Sequence, residues 1–294
     1  MPCSHPIQAW KTREGIKFDQ RTHGGEALQL PCGRCARCKL EHSRQWAVRG
    51  MHELQMHEFS SFVNLTYNDE HCPDGLKHED FQKFMKRLRK ARGVKSCSYY
   101  MAGEYGERTL RPHYHAILYG IRFPDRYYFQ KSPSGFPLYR SPELERLWPL
   151  GNSTIGEVSF ESVAYVARYI MKKQTLKGTP EGYDRINLET GERVTVAKEY
   201  ARMSRNPAIG RKWIEKYNAE VYPNDYVVSR ANKAKPPRYY DNYLKTTQPE
   251  LHEQITLQRK AEASTRKEDN SPQRLADKEA VAIARTKLKS RQLE

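Results

Sequence analysis

SYYMAGEYGERTLRPHYHAILYG, residues 98–120, decides the fold. Two stretches, Ser98–Tyr105 and His113–Gly120, predict β-strands joined by the short loop GERTLRP, hence an antiparallel hairpin. Pro112 falls just before the second strand, where its missing N–H does least harm. Residues two apart on a strand share a face, so His113 and His115 project together and Tyr114 points the other way. Alone, a His-x-His on a strand is commonly a half-buried pair. The hairpin changes this, because it brings the carboxylate of Glu104 beside both imidazoles. Two histidines and a carboxylate, with positions left open, suit a divalent metal such as Mg2+ or Mn2+ that also takes a phosphate oxygen.

Upstream, FVNLTY (62–67) alternates as a strand, and EHSRQWAVRGMHELQMHEF (41–59) has apolar residues near helical spacing. Between the hairpin and FVNLTY lies EDFQKFMKRLRKARG, a helix with Phe81, Phe84, Met85 and Leu88 on one stripe. Lys86, Arg87 and Lys90 on its polar face are candidates for DNA contact, or simply a solvated surface. Downstream, a Pro- and Tyr-rich insert (123–149) precedes a short strand near Ile155–Ser159 and the helix ESVAYVARYIMKK. Beyond Gln174 the signals weaken. The expected organisation is a Cys-rich and helical element at 1–60, a core at 61–180 that carries the hairpin, an extension at 181–248 and a charged helical or flexible tail at 249–294.

In that last helix Tyr165 and Tyr169 are four apart and share a face with Ser162 and Lys172, whereas Val163, Val166, Ala167 and Ile170 form a packing stripe. Without a metal motif such a pair reads as packing. Beside His113, His115 and Glu104 it makes chemical sense: the metal polarises a phosphodiester, a tyrosine oxygen attacks it, and Lys172 or Lys173 stabilises the phenolate or the phosphate. One ester replaces another, leaving a 5′-phosphotyrosine and a free 3′-hydroxyl. A second tyrosine then serves for the later joining step.

FVNLTY, GEYGERTLRPHYHAILYG and SVAYVARYIMKK resemble the three motifs of the HUH endonuclease superfamily, in its two-tyrosine branch. The chain is more closely similar to the replication initiators of gokushoviruses, microvirus phages with small circular single-stranded DNA, also through PCGRCARCKLEHSRQWAVR, MSRNPAIG (203–210) and PPRYYDNYL. The resemblance covers most of the chain up to about residue 245. It implies an α+β fold, with a central antiparallel sheet flanked by helices, the histidine strand central and the tyrosine helix across it. It also implies His113 and His115 as metal ligands and Tyr165 and Tyr169 as nucleophiles of rolling-circle replication. Glu104 is the first choice for third ligand and Glu161 the second, and Thr66 is expected to place DNA or the sheet. Related metal motifs fit less well, since Ile117 and Leu118 stand where HxHxDH needs Asp and His.

The run PCGRCARC places Cys32, Cys35 and Cys38 in two overlapping CxxC units. With Cys3, or failing it His5, they suit a structural Zn2+, with free thiols and then an iron–sulfur cluster as the alternatives. The chain has a formal net charge of +16, which suggests a polyanionic partner. Residues 249–294 hold ten Lys/Arg and eight Asp/Glu and account for only +2 of it, so the excess lies in the body. MPCSHPIQAW lacks the pattern of a signal peptide and no run is long and apolar enough to span a membrane, which predicts a protein of the host cytoplasm. No GxxxxGK[ST] occurs, so unwinding falls to a host helicase, with a host polymerase copying the single-stranded or supercoiled circle. The competing readings are a relaxase or transposase built from the same parts, and a non-catalytic, zinc-stapled nucleic-acid-binding protein. The latter has no need of the paired tyrosines or of HYH.

Overall fold

The computed structural model describes residues 3–19, 25–95, 97–106, 109–173, 183–186, 191–265 and 268–287, without the side chains of 168–173, 185 and 287. The chain divides into two compact units, one formed by Met1–Arg44 with Leu244–Arg291, the other built on Gln45–Tyr243.

The first unit opens with an antiparallel sheet of β1 (Ile7–Thr12), β2 (Gly15–Lys17) and β3 (Glu26–Leu30), in the order β2-β1-β3. The cysteine run follows and leads directly into α1 (Ala36–Leu54), whose residues from Gln45 onward belong to the second unit. The sequence predicts this helix over 41–59. It starts earlier because the chain turns at the cysteines, and it stops earlier because the Phe59 carbonyl accepts the N–H of Gly120 where strand pairing begins.

In the second unit come β4 (Ser60–Tyr67), α2 (His78–Arg92), β5 (Tyr99–Tyr105), β6 (Pro112–Tyr119), β7 (Tyr127–Lys131), β8 (Pro137–Arg140), α3 (Pro142–Leu147), β9 (Gly151–Gly156) and α4 (Phe160–Lys173). They are followed by β10 (Asp184–Ile186), β11 (Arg193–Thr195), β12 (Tyr200–Met203), α5 (Arg211–Val221), β13 (Val227–Ser229), β14 (Asn232–Ala234) and α6 (Arg238–Thr247). α7 (Pro249–Ser264) and α8 (Pro272–Lys287) complete the first unit. Seven strands form one sheet in the order β12-β5-β6-β4-β9-β8-β7, and every pairing is antiparallel. The α+β class expected from the sequence is therefore observed.

β6, the histidine strand, is interior and buried along its whole length. Helices cover both faces of the sheet. On one side Phe81, Phe84, Met85 and Leu88 of α2 and Leu144 and Leu147 of α3 pack on Tyr114, Ala116 and Leu118. On the other, Ala47 of α1 and Val163, Tyr165, Val166 and Ala167 of α4 pack on Tyr100, Ala102, Ile117 and Tyr119. A strand buried on both faces shows no alternation of apolar and polar residues, which is why two histidines can stand among AILY. Gly50 sets the spacing of α1 and α4: a Cβ there would lie 2.4 Å from Cγ1 of Val163.

Two expected boundaries shift. The strand predicted near Ile155–Ser159 is β9, which pairs from Tyr67↔Gly151 to Phe62↔Gly156. Residues 157–159 instead turn into α4, where the Ser159 and Ser162 hydroxyls accept each other's backbone N–H at 3.2 and 2.8 Å. The insert 123–149 is not a plain loop: it adds β7 and β8 to the sheet edge, and Ser141 caps α3 through the N–H of Leu144, at 3.1 Å.

On α1, His52 is buried, stacks on Trp213 at 3.5 Å and shares a hydrogen bond of 2.9 Å between Nδ1 and the Tyr240 hydroxyl, tying α1 to α5 and α6. Burial pushes its imidazole from 6.5 down to about 3. Between those values the unfolded chain binds a proton that the folded protein excludes. The contribution of His52 is therefore complete above about pH 6.5 and is lost as pH falls, by up to about 1.4 kcal/mol per pH unit. Urea unfolding between pH 7 and pH 5 should show this loss, and His52→Gln should flatten the slope. Equal slopes for the two proteins would contradict the assignment.

Candidate active site

Strand register builds the site. Glu104 pairs with His113 across β5 and β6, and Ala102 with His115, so Glu104, His113 and His115 share the face covered by α4. On the other flank, Asn64 of β4 pairs with His115 and Thr66 with His113. Glu104, His113 and His115 are all buried, and each offers a ligand atom within 4.8 Å of the others.

The hydrogen bonds set the protonation of both rings. Nδ1 of His113 donates to the Arg111 carbonyl at 3.1 Å, and Nδ1 of His115 to Oδ1 of Asn64 at 2.5 Å. Asn64 is oriented in turn by its Nδ2, which donates to the Thr154 hydroxyl at 3.2 Å. With Nδ1 protonated, each neutral ring directs an Nε2 lone pair at Oε1 of Glu104, 2.8 Å from His113 and in direct contact with His115. Three electron-pair donors facing one point repel unless a cation lies among them. Oε2 of Glu104 is also buried without a hydrogen-bond partner. This donor set, oriented through the far ring nitrogens, fits a divalent metal with open positions.

α4 lays Tyr165 over the group. Its ring meets His115 edge-on at 5.0 Å, and its hydroxyl donates to Oε1 of Glu104 at 3.4 Å. Position 169 follows one turn later on the same face of the helix. The side chains of Tyr169, Lys172 and Lys173 lie outside the described residues. Glu161, the alternative third ligand, instead forms an ion pair of 3.4 Å with Arg230. Tyr114 points to the opposite face, as expected, and donates to the Lys77 carbonyl at 2.7 Å.

The basic residues of α2 are not brought to the site, because α2 covers the opposite face of the sheet. Lys86 and Lys90 are exposed there, and Arg87 donates to the Leu147 carbonyl at 2.8 Å. Asn64 was not singled out in the sequence. Its signal was a lone amide within the apolar strand FVNLTY, in phase with the face that carries the histidines.

The four cysteines also converge, within the first unit: the Sγ atoms of Cys3, Cys32, Cys35 and Cys38 lie within 4.8 Å of one another, and none of the four is in a disulfide. The ring of His5 contacts Glu279, and its backbone hydrogen-bonds Cys3. No described helix is long and apolar enough to cross a membrane.

Residues 60–174 match the family model described as replication-associated protein ORF2/G2P. The chain is 34% identical over 262 residues to replication-associated protein VP4 of Bdellovibrio phage phiMH2K, covering 85% of this chain and 79% of that one. It is 30% identical over 272 residues to replication-associated protein ORF2 of Spiroplasma virus 4, covering 83% and 80%. A shorter match, 32% over 155 residues, links it to replication-associated protein ORF4 of Chlamydia phage 1, covering 50% of this chain and 39% of that one. No solved structure matches significantly.

Proposed function

The chain belongs to the family of microvirus replication-associated proteins, and on that premise we propose that it starts rolling-circle replication by nicking and rejoining circular DNA through a tyrosine. The observation that carries this reading is the hydrogen bond from the Tyr165 hydroxyl to the carboxylate shared by His113 and His115.

A divalent ion such as Mg2+ or Mn2+, held by His113, His115 and Glu104, would polarise the scissile phosphate and offset the charge that grows in the transition state. The chain itself supplies the nucleophile and its placement. The tyrosine oxygen forms a bond to phosphorus as the bond to the 3′-oxygen breaks, which leaves a 5′-phosphotyrosine and a 3′-hydroxyl. Glu104 holds the phenol of Tyr165 beside the ligand group, and α4 carries Tyr169 on the same face for the joining step. Asn64 and the Arg111 carbonyl keep both imidazoles in the ligating tautomer. Lys172 is assigned to stabilising the phenolate and Lys173 to the DNA strand. Lys86, Arg87 and Lys90 are assigned to sequence-independent backbone contacts away from the nicking centre. Unwinding and copying are left to the host helicase and polymerase, in the host cytoplasm.

Incubating the purified protein with Mn2+ and labelled single-stranded origin DNA should give a covalent protein–DNA adduct that survives denaturation. Tight, salt-sensitive binding with no adduct and no nick would leave only a binding protein.

A further inference from the structure

We propose that Cys3, Cys32, Cys35 and Cys38 bind one Zn2+ as four thiolates, and that this ion sets the start of α1 so that Glu279 of α8 can dock on it. The inference is independent of the nicking chemistry. Backbone N–H groups surround the sulfurs: Cys32 donates to Cys3 at 3.3 Å, Arg34 and Cys35 to Cys32 at 3.4 and 3.3 Å, and Ser4 and Cys38 to Cys35, both at 3.4 Å. A neutral thiol is a weak acceptor and does not need this many donors; a thiolate on a metal does. Gly33, at φ 71, lets the chain wrap around Cys32 so that two successive N–H groups reach its sulfur. Four thiolates this close require a cation, and an all-sulfur set selects Zn2+ over hard ions such as Mg2+ or Mn2+. Cys3 and Cys35 are buried, as in a closed structural site.

Glu279 connects this site to the far end of the chain. One of its oxygens accepts the N–H of Ala36 at 3.2 Å, and the other contacts Nε2 of His5 at 2.6 Å. Ala36 is the first residue of α1, where the N–H has no partner within the helix and a carboxylate is favoured. Ala36 follows Cys35 directly, and His5 lies two residues after Cys3. Both contacts of Glu279 therefore stand on backbone pinned by the ligands, and releasing the ion frees them together.

The test uses the full chain carrying His113→Ala and His115→Ala, so that any ion counted belongs to the sulfurs. Elemental analysis should find about one zinc per chain, and Co2+ exchanged into the site should show the intense charge-transfer bands of a tetrahedral thiolate centre. Stripping the ion should speed hydrogen exchange in residues 272–287 by roughly tenfold or more. Glu279→Ala should do the same with zinc retained. Four readily alkylated thiols in a folded protein without zinc would overturn the site. Zinc bound at full stoichiometry, with exchange in α8 indifferent to both chelator and Glu279→Ala, would overturn the coupling while leaving the site intact.

Discussion

Replacing His113 and His115 together by alanine is expected to lower nicking by roughly a thousandfold or more, the scale of the several kcal/mol that a metal contributes to a phosphoryl transition state. Non-specific DNA binding should survive, because it rests on lysine and arginine. Asn64→Ala should behave differently. It removes no ligand, but it frees the Nδ1 proton of His115 to exchange tautomers, and should weaken metal affinity by about 10- to 100-fold with activity restored at high Mn2+. Glu104→Ala should weaken metal affinity as well. The assay is nicking of labelled origin DNA across a Mn2+ titration; undiminished nicking in EDTA, or in the double variant, would remove the metal from the mechanism.

The tyrosine pair should show redundancy of a particular kind. Tyr165→Phe and Tyr169→Phe should each retain some covalent adduct, because the remaining phenol can still attack, and the double variant should form none. Closure of a circle after a full round should suffer more than the first nick in either single variant, because only joining requires exchange between two tyrosines. Tyr165 adds a constraint of its own. Its ring packs against His115 and it is buried in the core of that face, so phenylalanine at 165 should keep the fold while losing the hydrogen bond to Glu104. Mapping the adduct peptide after a single turnover decides the matter: an adduct on any other residue ends the two-tyrosine model.

The hairpin was legible in the sequence because a loop of a few residues leaves one register that pairs Glu104 with His113, and residues two apart on a strand have no choice of face. The packing stripes of α2 and α4 were legible for the same reason, since helical periodicity shows which residues turn inward. Periodicity does not say which side of a sheet a helix will cover. The cations Lys86, Arg87 and Lys90 could thus be read as candidates for DNA contact, but not placed relative to the histidines, from which α2 lies across the sheet. β9 is displaced from the expected stretch because Asn152, Ser153 and Thr154 are polar, and their place in the sheet is decided by pairing with β4. The contacts of Asn64 and Glu279 are long-range in the chain, and no local pattern announces them.

The first unit is assembled from both ends of the polypeptide, with residues 45–243 inserted between its halves. On the ribosome this imposes an order of events. The cysteine run is made early, but Glu279 emerges roughly 10–50 seconds later at ordinary elongation rates. The seven-stranded sheet can fold in that interval as an uninterrupted stretch of chain, whereas residues 1–44 must wait for α7 and α8. A polypeptide released before residue 244 would thus carry a finished seven-stranded sheet with its helices and half of a second unit, with the surface that α8 covers left bare to chaperones and proteases.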